Sequence, residues 1–170
     1  MQILVISDSH GDAAPVKTLL DQYAGKLTTV IHLGDNVKDI LKFEHLYPRL
    51  NIVAVAGNCD YSAVAPRERI LTLAGRRILL MHGHSHNVKM SCDRLIYYSM
   101  EKDVDACLFG HTHMSAIFTI DKAAHDNGPP SGEVFFMNPG SLCEPRGGSR
   151  AGYGIITIAG SNITGELIEL

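Results

Sequence analysis

The chain has 170 residues, of which 45% are hydrophobic and 19% are charged, and its formal net charge is -3 at pH 7. These values are typical of a globular domain, and the weak negative charge gives no large basic field, which disfavours bulk binding of nucleic acid but leaves it open as a substrate. The apolar runs are too short to span a bilayer, and the residues after Met1 lack the pattern of a signal peptide. The four cysteines form no C-x-x-C pair, which favours reduced thiols. We therefore expect a single cytoplasmic domain over residues 1–170 that does not enter a membrane.

The first predicted strand covers residues 3–6, an aliphatic run without polar alternation that is typical of a strand buried on both faces. It leads into a polar loop that contains Asp8 and His10. Because these two residues are two positions apart, both side chains can reach one point. A helix follows and ends at Gly25, and its apolar face consists of Val16, Leu19, Leu20, Tyr23 and Ala24.

Two further buried strands are predicted at residues 28–33 and 52–56, and each ends in a polar loop. The first loop reads Gly34-Asp35-Asn36, and the second reads Gly57-Asn58-Cys59-Asp60. Between the strands, the spacing of Val37, Ile40 and Leu41 predicts a second helix that stops before Pro48. Strands that alternate with helices favour a mostly parallel sheet, because parallel neighbours need crossover connections.

The second half of the chain contains a predicted hairpin, a helix and several strands. The hairpin pairs residues 70–73 with residues 78–81 and ends in His82-Gly83-His84. A helix runs from residue 91 or 92 to residue 102, and its predicted inward face is Cys92, Leu95, Ile96 and Met100. The strand at residues 106–109 then ends in Gly110-His111-Thr112-His113.

From residue 116 onward the chain shows strands without any helical period. They are predicted at residues 116–120, 134–137, 153–158 and 163–170, with exposed loops at 122–132 and 146–152. Together with the first half, they predict an α/β fold of the four-layer αββα type. In this sandwich, two mixed β-sheets lie face to face with the helices outside.

Five predicted strands end in residues with nitrogen or oxygen ligands, namely Asp8 with His10, Asp35, Asn58, His82, and His111 with His113. Each fragment has an ordinary structural explanation, since Asp and Asn favour turns and helix caps, and a single histidine can simply be buried. However, the carboxyl ends of parallel strands share one edge of a sheet. Seven such side chains, none of them a thiol, are suited to divalent metal and exceed what one ion requires.

The ordered set Asp8-x-His10, Gly34-Asp35, Gly57-Asn58-x-Asp60, His82-Gly83 and Gly110-His111-x-His113 resembles the calcineurin-like metallophosphoesterase superfamily. The short chain, the Gly-Asn-Cys-Asp form and the later Asn138-Pro139-Gly140-Ser141 are similar to its small bacterial and archaeal phosphodiesterase group, to which a retromer subunit is also related. The resemblance covers essentially the whole chain.

The resemblance implies two divalent metal ions. Asp8, His10 and His113 would hold one ion, Asn58, His82 and His111 the other, and Asp35 would bridge them. We expect manganese first, although mixed nitrogen and oxygen ligands also suit nickel, zinc, iron or cobalt. Asp60 is expected to accept a hydrogen bond from a ligand or from His82, because ligating imidazoles usually donate their other N–H to a fixed partner.

The implied function is hydrolysis of a small phosphodiester or another phosphoester, by attack of a hydroxide that the two metals share. Such a mechanism needs no protein nucleophile. Two alternatives remain open from the sequence: a catalytically vestigial scaffold that binds partner proteins, and a hydrolase with a single metal. The intact ligand set argues against the scaffold. The sequence is also compatible with an oligomer.

The proton donor for the leaving group is the open point of this mechanism. Cys59 stands where many members of the superfamily have a histidine, and it is either a weak acid or a small buried residue without a proton role. His84 is a second candidate for this acid or for a substrate contact, whereas its neighbour His86 is expected to be a solvated loop residue. Ser141 or its loop is a candidate phosphate contact. We therefore expect aryl phosphodiesters to react faster than alkyl ones.

Overall fold

A computed structural model describes residues 1–61, 64–122 and 132–170. Within these ranges the chain forms three α-helices, at Ala13–Tyr23 (α1), Lys38–Leu41 (α2) and Asp93–Glu101 (α3). The described strands are Gln2–Ile6 (β1), Thr29–His32 (β2), Asn51–Ala54 (β3), Glu68–Leu73 (β4), Arg76–Met81 (β5), Ala106–Leu108 (β6), Ser115–Asp121 (β7), Glu133–Pro139 (β8), Gly152–Ala159 (β9) and Asn162–Glu169 (β10). Over the same ranges, no helix is both long enough and apolar enough to cross a membrane.

The strands form two mixed sheets of five strands each. In the first sheet the order is β10-β9-β1-β2-β3; β1, β2 and β3 are parallel, and β9 and β10 are antiparallel additions. In the second sheet the order is β4-β5-β6-β8-β7; β5, β6 and β8 are parallel, and β4 and β7 form antiparallel edges. The prediction of two mixed sheets is therefore confirmed.

The packing of β1 shows how the layers are arranged. Ile3 and Val5 lie in a core shared with Ile78 and Leu108 of the second sheet, so the two sheets face each other. The alternate residues of β1 pack on the other side, together with α1 and α2. On the outer face of the second sheet, Leu95 of α3 completes the fourth layer. Both faces of β1 are covered, which explains its uninterrupted apolar sequence and confirms the αββα sandwich.

The second helix is shorter than its apolar spacing predicts. α2 is a single turn over Lys38–Leu41, and a separate 3₁₀ turn follows at Glu44–Leu46. Val37, the residue before α2, cannot accept a hydrogen bond from the free N–H groups of this helix, because its side chain is apolar. By contrast, the side chain of Asp12 caps α1 by accepting from the N–H of Ala14. The absence of a cap favours a short helix here.

Smaller differences concern the ends of elements. A 3₁₀ turn at His84–His86, which the sequence did not predict, lies between Gly83 and Asn87, and both of these residues have positive φ angles. α3 begins at Asp93, one or two residues later than expected, and Ser99 is buried with Leu95. Of the loop predicted at 122–132, residues 123–131 lie outside the described ranges.

Candidate metal centre

The loops that follow the parallel strands of both sheets contact one another at one edge of the sandwich. The backbone N–H of Asp8 donates to the carbonyl of Gly34 at 3.0 Å, which joins the loops after β1 and β2. The N–H of Cys59 donates to Asp35 Oδ1 at 2.8 Å, which adds the loop after β3. The N–H of His111 donates to Asp8 Oδ2 at 3.1 Å, which adds the second sheet. The fold therefore brings both halves of the chain to one site.

Six of the seven predicted ligands fall into two groups whose candidate ligand atoms lie within 4.8 Å of one another. The first group consists of Asp8, His10, Asp35 and His113, and the second consists of Asp35, His82 and His111. Asp35 belongs to both groups. The structure thus places this one carboxylate between two sets of histidines.

The two oxygens of the Asp8 carboxylate have different surroundings. Oδ2 accepts hydrogen bonds from the Ser7 hydroxyl at 2.5 Å and from the N–H of His111. Oδ1 is buried and has no hydrogen-bond partner among the described residues. It lies 3.2 Å from His113 Nε2 and 3.8 Å from His10 Nε2. One oxygen therefore fixes the side chain, while the other faces the histidines.

The histidines are oriented by hydrogen bonds on their outer nitrogens. His113 Nδ1 donates to the carbonyl of Glu144, and His82 Nδ1 donates to the carbonyl of Leu33, both at 2.7 Å. In the neutral imidazole the proton is then on Nδ1, so each Nε2 presents a lone pair to the site. His113 Nε2 lies 3.1 Å from His10 Nε2, and His82 Nε2 is buried without a hydrogen-bond partner in the described structure.

This arrangement fits a cation. Lone pairs of imidazoles and carboxylate oxygens that converge in a buried space repel one another unless positive charge lies between them. The donor set, imidazole nitrogen and carboxylate oxygen, is the one that divalent transition metals prefer. The ordering of each imidazole by a backbone carbonyl is also typical of metal-ligating histidines.

The electrostatics of the site favour positive charge. Burial opposes ionisation of Asp8 and Asp35, but hydrogen bonds and the nearby histidines outweigh it, so the pKa of each carboxyl is lowered. In turn, Asp8 raises the pKa of His113, and Asp35 and Asp8 raise the pKa of His82 against its own desolvation. Burial and then His82 lower the pKa of His111 to about 4, which leaves its imidazole neutral at pH 7.

The backbone of these loops is strained at the candidate ligands themselves. Asp8, His10, Asp35, His111 and His113 have φ angles of 55°, 47°, 58°, 69° and 59°. The left-handed region costs a residue with a side chain roughly 1–2 kcal/mol. Strain of this kind persists only where surrounding contacts hold it, and it concentrates at functional sites.

The glycines in front of two predicted ligands have a steric role. A Cβ at Gly57 would overlap the carboxylate of Asp35 and its backbone N. A Cβ at Gly110 would overlap the hydroxyl of Ser7 and would lie 2.8 Å from Asp8 Oδ2. Only glycine lets these loops approach so closely, which explains the Gly-Asn and Gly-His pairs in the sequence.

Asn58 and Asp60 lie in the loop after β3. Asn58 is exposed, and its amide donates to the thiol of Cys59 at 3.4 Å. Asp60 accepts from the N–H groups of Val37 and Gly57, both at 2.9 Å, and so ties this loop to the start of α2. The expected hydrogen bond from His82 to Asp60 is wrong, because the carbonyl of Leu33 occupies that position.

The two candidate proton donors have different surroundings. Burial, followed by the hydrogen bond and charge of Asp35, raises the pKa of the Cys59 thiol to about 11. His84 is half-buried, its ring centroid lies 5.5 Å from that of His82, and burial lowers its pKa. Its Nδ1 is buried without a hydrogen-bond partner in the described residues. His86 packs against Tyr98 with the two rings tilted, and their centroids lie 4.7 Å apart.

Ser141 does not have the predicted role in phosphate contact. Its side chain is completely buried, and its hydroxyl donates to the carbonyl of Asp8 at 2.7 Å. The same oxygen accepts from the N–H groups of Cys143 at 3.2 Å and Glu144 at 2.8 Å. The hydroxyl is therefore fully used in fixing the loop that carries the Glu144 carbonyl, the acceptor for His113.

Asn138 is a structural residue of the site that the sequence reasoning missed. Its amide donates to the carbonyl of Gly110 and to the hydroxyl of Thr112, both at 2.9 Å, and so holds the loop of His111 and His113. A signal was present, since Asn138 belongs to the motif beside the site. Ser7 was also missed, although a short polar residue next to a candidate ligand is a natural hydrogen-bond donor to it.

A cavity of about 240 Å³ adjoins the site and is lined by Asn36, Lys38, Cys59, Asp60 and Tyr61. Asn36 and Cys59 belong to the loops that carry Asp35 and Asn58, and the N–H of Cys59 donates to Asp35. Tyr61 is 96% exposed. The cavity thus has an exposed aromatic ring and a lysine in its wall.

The sequence profile of the calcineurin-like phosphoesterase superfamily domain matches residues 1–161. The chain belongs to this superfamily. The family resemblance stated from the motifs is therefore confirmed, and the sandwich described above is the fold of a family of hydrolases.

Relatives within the superfamily include named phosphodiesterases. The chain is 31% identical over 159 residues to the probable metallophosphoesterase YsnB of Bacillus subtilis, covering 93% of this chain and 85% of YsnB. It is 28% identical to the phosphodiesterase YfcE of Escherichia coli, covering 92% and 87%. The crystal structure of Vps29 from Entamoeba histolytica complexed with Zn²⁺ is also similar, with 25% identity, a TM-score of 0.71, and coverage of 97% and 90%.

Proposed function

We propose that the chain is a phosphodiesterase that depends on two divalent metal ions. The observation that supports this most concerns Asp8 Oδ1 and His82 Nε2, two buried atoms that have no hydrogen-bond partner in the described part of the chain. They lie 3.8 Å apart, and His82 Nε2 lies 3.3 Å from Asp35 Oδ1, the carboxylate shared by both groups. Membership of the calcineurin-like phosphoesterase superfamily supports the hydrolase class. The names of YsnB and YfcE support metallophosphoesterase and phosphodiesterase activity in particular.

In this proposal, the two groups of ligand atoms hold one ion each. Asp8, His10 and His113 would bind the first ion and His82 and His111 the second, with Asp35 shared. Asn58, which is exposed in the loop after β3, would add a neutral ligand to the second ion. Divalent cations at these positions would supply Lewis acidity toward phosphoryl oxygens and would activate water. Manganese is our first choice; nickel, zinc, iron and cobalt suit the same donors, and the zinc complex of Vps29 supports zinc as a candidate.

We propose that the substrate is a small phosphodiester with a flat or aromatic ester group. The cavity beside Cys59 would take this ester group, and Tyr61 would stack on it. Lys38, in the same cavity, would face the negative charge of the phosphate. The high pKa of Cys59 makes its thiol a poor acid, so leaving groups that need no proton should react fastest. All four cysteines are free thiols in the structure, which is consistent with a cytoplasmic location.

Metal analysis combined with activity tests this proposal. The purified protein is stripped with a chelator, reloaded with Mn²⁺, Ni²⁺ or Zn²⁺, and assayed with bis(p-nitrophenyl) phosphate. Two bound ions per chain and metal-dependent hydrolysis are the expected result. One bound ion with full activity would instead support the single-metal hydrolase. Absence of hydrolysis with every metal would favour the scaffold hypothesis.

A further inference from the structure

A buried histidine outside both ligand groups begins a hydrogen-bond chain toward the site. His32, at the end of β2, is 0% exposed. Its Nδ1 accepts the N–H of Gly34 at 3.2 Å, so a neutral His32 carries its proton on Nε2. Nε2 lies 3.2 Å from the Ser9 hydroxyl oxygen and donates to it. Burial lowers the pKa of His32 to about 4, which is consistent with this neutral form at pH 7.

The chain continues from Ser9 to a carboxylate. The Ser9 hydroxyl donates to Asp39 Oδ2 at 2.7 Å, and the same oxygen accepts the N–H of Gly11 at 2.9 Å. Ser9 is 0% exposed and Asp39 is 6% exposed. The Ser9 hydroxyl also lies 3.4 Å from the carbonyl oxygen of Asp35 and 3.5 Å from that of Asn36, but the contact with Asp39 is much shorter. Because Ser9 donates to Asp39 and accepts from His32, the direction of the bonds from His32 to Asp39 is determined.

These bonds join three elements around the shared carboxylate. Ser9 and Gly11 belong to the loop after β1, His32 is the last residue of β2, and Asp39 is in α2. Ser9 lies between Asp8 and His10, both of which have left-handed backbone angles. The chain therefore anchors the middle residue of a strained segment whose two neighbours are candidate ligands.

We propose that the His32–Ser9–Asp39 hydrogen-bond chain is a positioning element that sets the placement of Asp8 and His10 relative to Asp35, and so the cation affinity of that group. The inference rests on the proposed metal-dependent function and adds three residues to it. It also predicts that breaking the chain affects the two ligand groups unequally. His82 is held by the carbonyl of Leu33, outside this chain of bonds, so the second group should be affected less.

The test compares two serine-to-alanine variants that each remove a completely buried hydroxyl. Ser9→Ala breaks the chain, whereas Ser99→Ala removes a hydroxyl that donates to the Leu95 carbonyl at 2.8 Å within α3, away from the site. Mn²⁺ is titrated into each metal-free protein by calorimetry, and the bound ions are counted by electron paramagnetic resonance. Neither readout depends on turnover.

We expect Ser9→Ala to weaken the Mn²⁺ site formed with Asp8 and His10 by roughly 10-fold. This is the lower end of the loss caused by removing a hydrogen bond made directly to a metal ligand, because Ser9 acts on its two neighbours through the backbone. The second site should change by less than threefold, and Ser99→Ala should leave both affinities unchanged. Asp39→Asn keeps the shape and an accepting oxygen but loses the charge. Asp39→Asn should therefore cause a smaller loss of Mn²⁺ affinity at the same site. This second variant keeps the proposal testable if Ser9→Ala does not fold.

Other outcomes separate the two proposals. If the wild-type protein binds two ions and both Ser9→Ala and Asp39→Asn bind them with unchanged affinity, the positioning role is wrong and the proposed function stands. Equal weakening by Ser9→Ala and Ser99→Ala would show a general loss of stability and would also overturn the positioning role. If the wild-type protein binds no Mn²⁺, Ni²⁺ or Zn²⁺, both proposals are wrong.

Discussion

The shared carboxylate of Asp35 provides the most decisive test of the site. Asp35→Asn removes one negative charge and preserves the size of the side chain. The amide oxygen can still accept the N–H of Cys59, which donates to Asp35 Oδ1 at 2.8 Å in the wild type. The side chain is 2% exposed and belongs to both ligand groups. The fold should therefore survive, while both groups lose a charged donor.

The expected effect follows from the charge. At a separation of ~4 Å and an effective dielectric constant of ~20, a pair of unit charges interacts by about 4 kcal/mol. Since each 1.4 kcal/mol corresponds to a factor of ten, losing this charge should weaken binding of a singly charged cation by about a thousandfold and binding of a divalent cation by more. The ligand atoms lie within 4.8 Å of one another, so an ion between them is closer to the carboxylate than ~4 Å, and about a thousandfold is a lower bound for a divalent ion.

Calorimetric titration with Mn²⁺ and hydrolysis of bis(p-nitrophenyl) phosphate measure the two consequences. We expect loss of tight binding of at least one ion and a fall in kcat/KM of at least a hundredfold, with an unchanged circular dichroism spectrum. Asp105→Asn is the matched control, because Asp105 pairs with Arg76 at the opposite end of the second sheet and should keep activity within twofold. Activity of Asp35→Asn within tenfold of wild type would refute the shared-carboxylate site.

Four other changes have defined outcomes. Gly57→Ala should abolish activity and lower the free energy of unfolding by about 1–3 kcal/mol, because the new methyl group overlaps the shared carboxylate; wild-type thermal stability would contradict this packing. Cys59→Ser should change kcat by less than threefold, and kcat should fall steeply as the leaving-group pKa rises; a flat dependence would show that an acid is present. Tyr61→Ala should raise KM for aryl diesters about tenfold, in line with roughly 1–3 kcal/mol for stacking, whereas Tyr61→Phe should not. Burial lowers the pKa of His32 to about 4 in the folded protein, against ~6.5 in the unfolded chain. The free energy of unfolding should therefore be highest above pH ~6.5 and should fall by roughly 3 kcal/mol as the pH is lowered to 4. A His32→Gln variant with the same pH dependence of unfolding would disprove this.

The sequence alone was sufficient for the architecture and for the identity of most candidate ligands. Apolar runs such as residues 3–6 indicate buried strands because both faces of a central strand are covered, and the fold confirms this for β1. Polar residues at successive strand ends indicate a common edge, and Asp8, Asp35, His82 and His113 meet there. These are local patterns, so they can be recognised before any long-range contact is known.

Only the tertiary structure decided which atoms of the site are free and which are already used. Ser141 has the same short polar character as a phosphate contact, but its hydroxyl is consumed by backbone groups around Asp8. Likewise, Leu33 rather than Asp60 orients His82, and Asp39 joins Ser9 from a position 30 residues away. Hydrogen-bond partners of this kind depend on distances between loops that are remote in sequence, and local residue patterns contain no information about those distances.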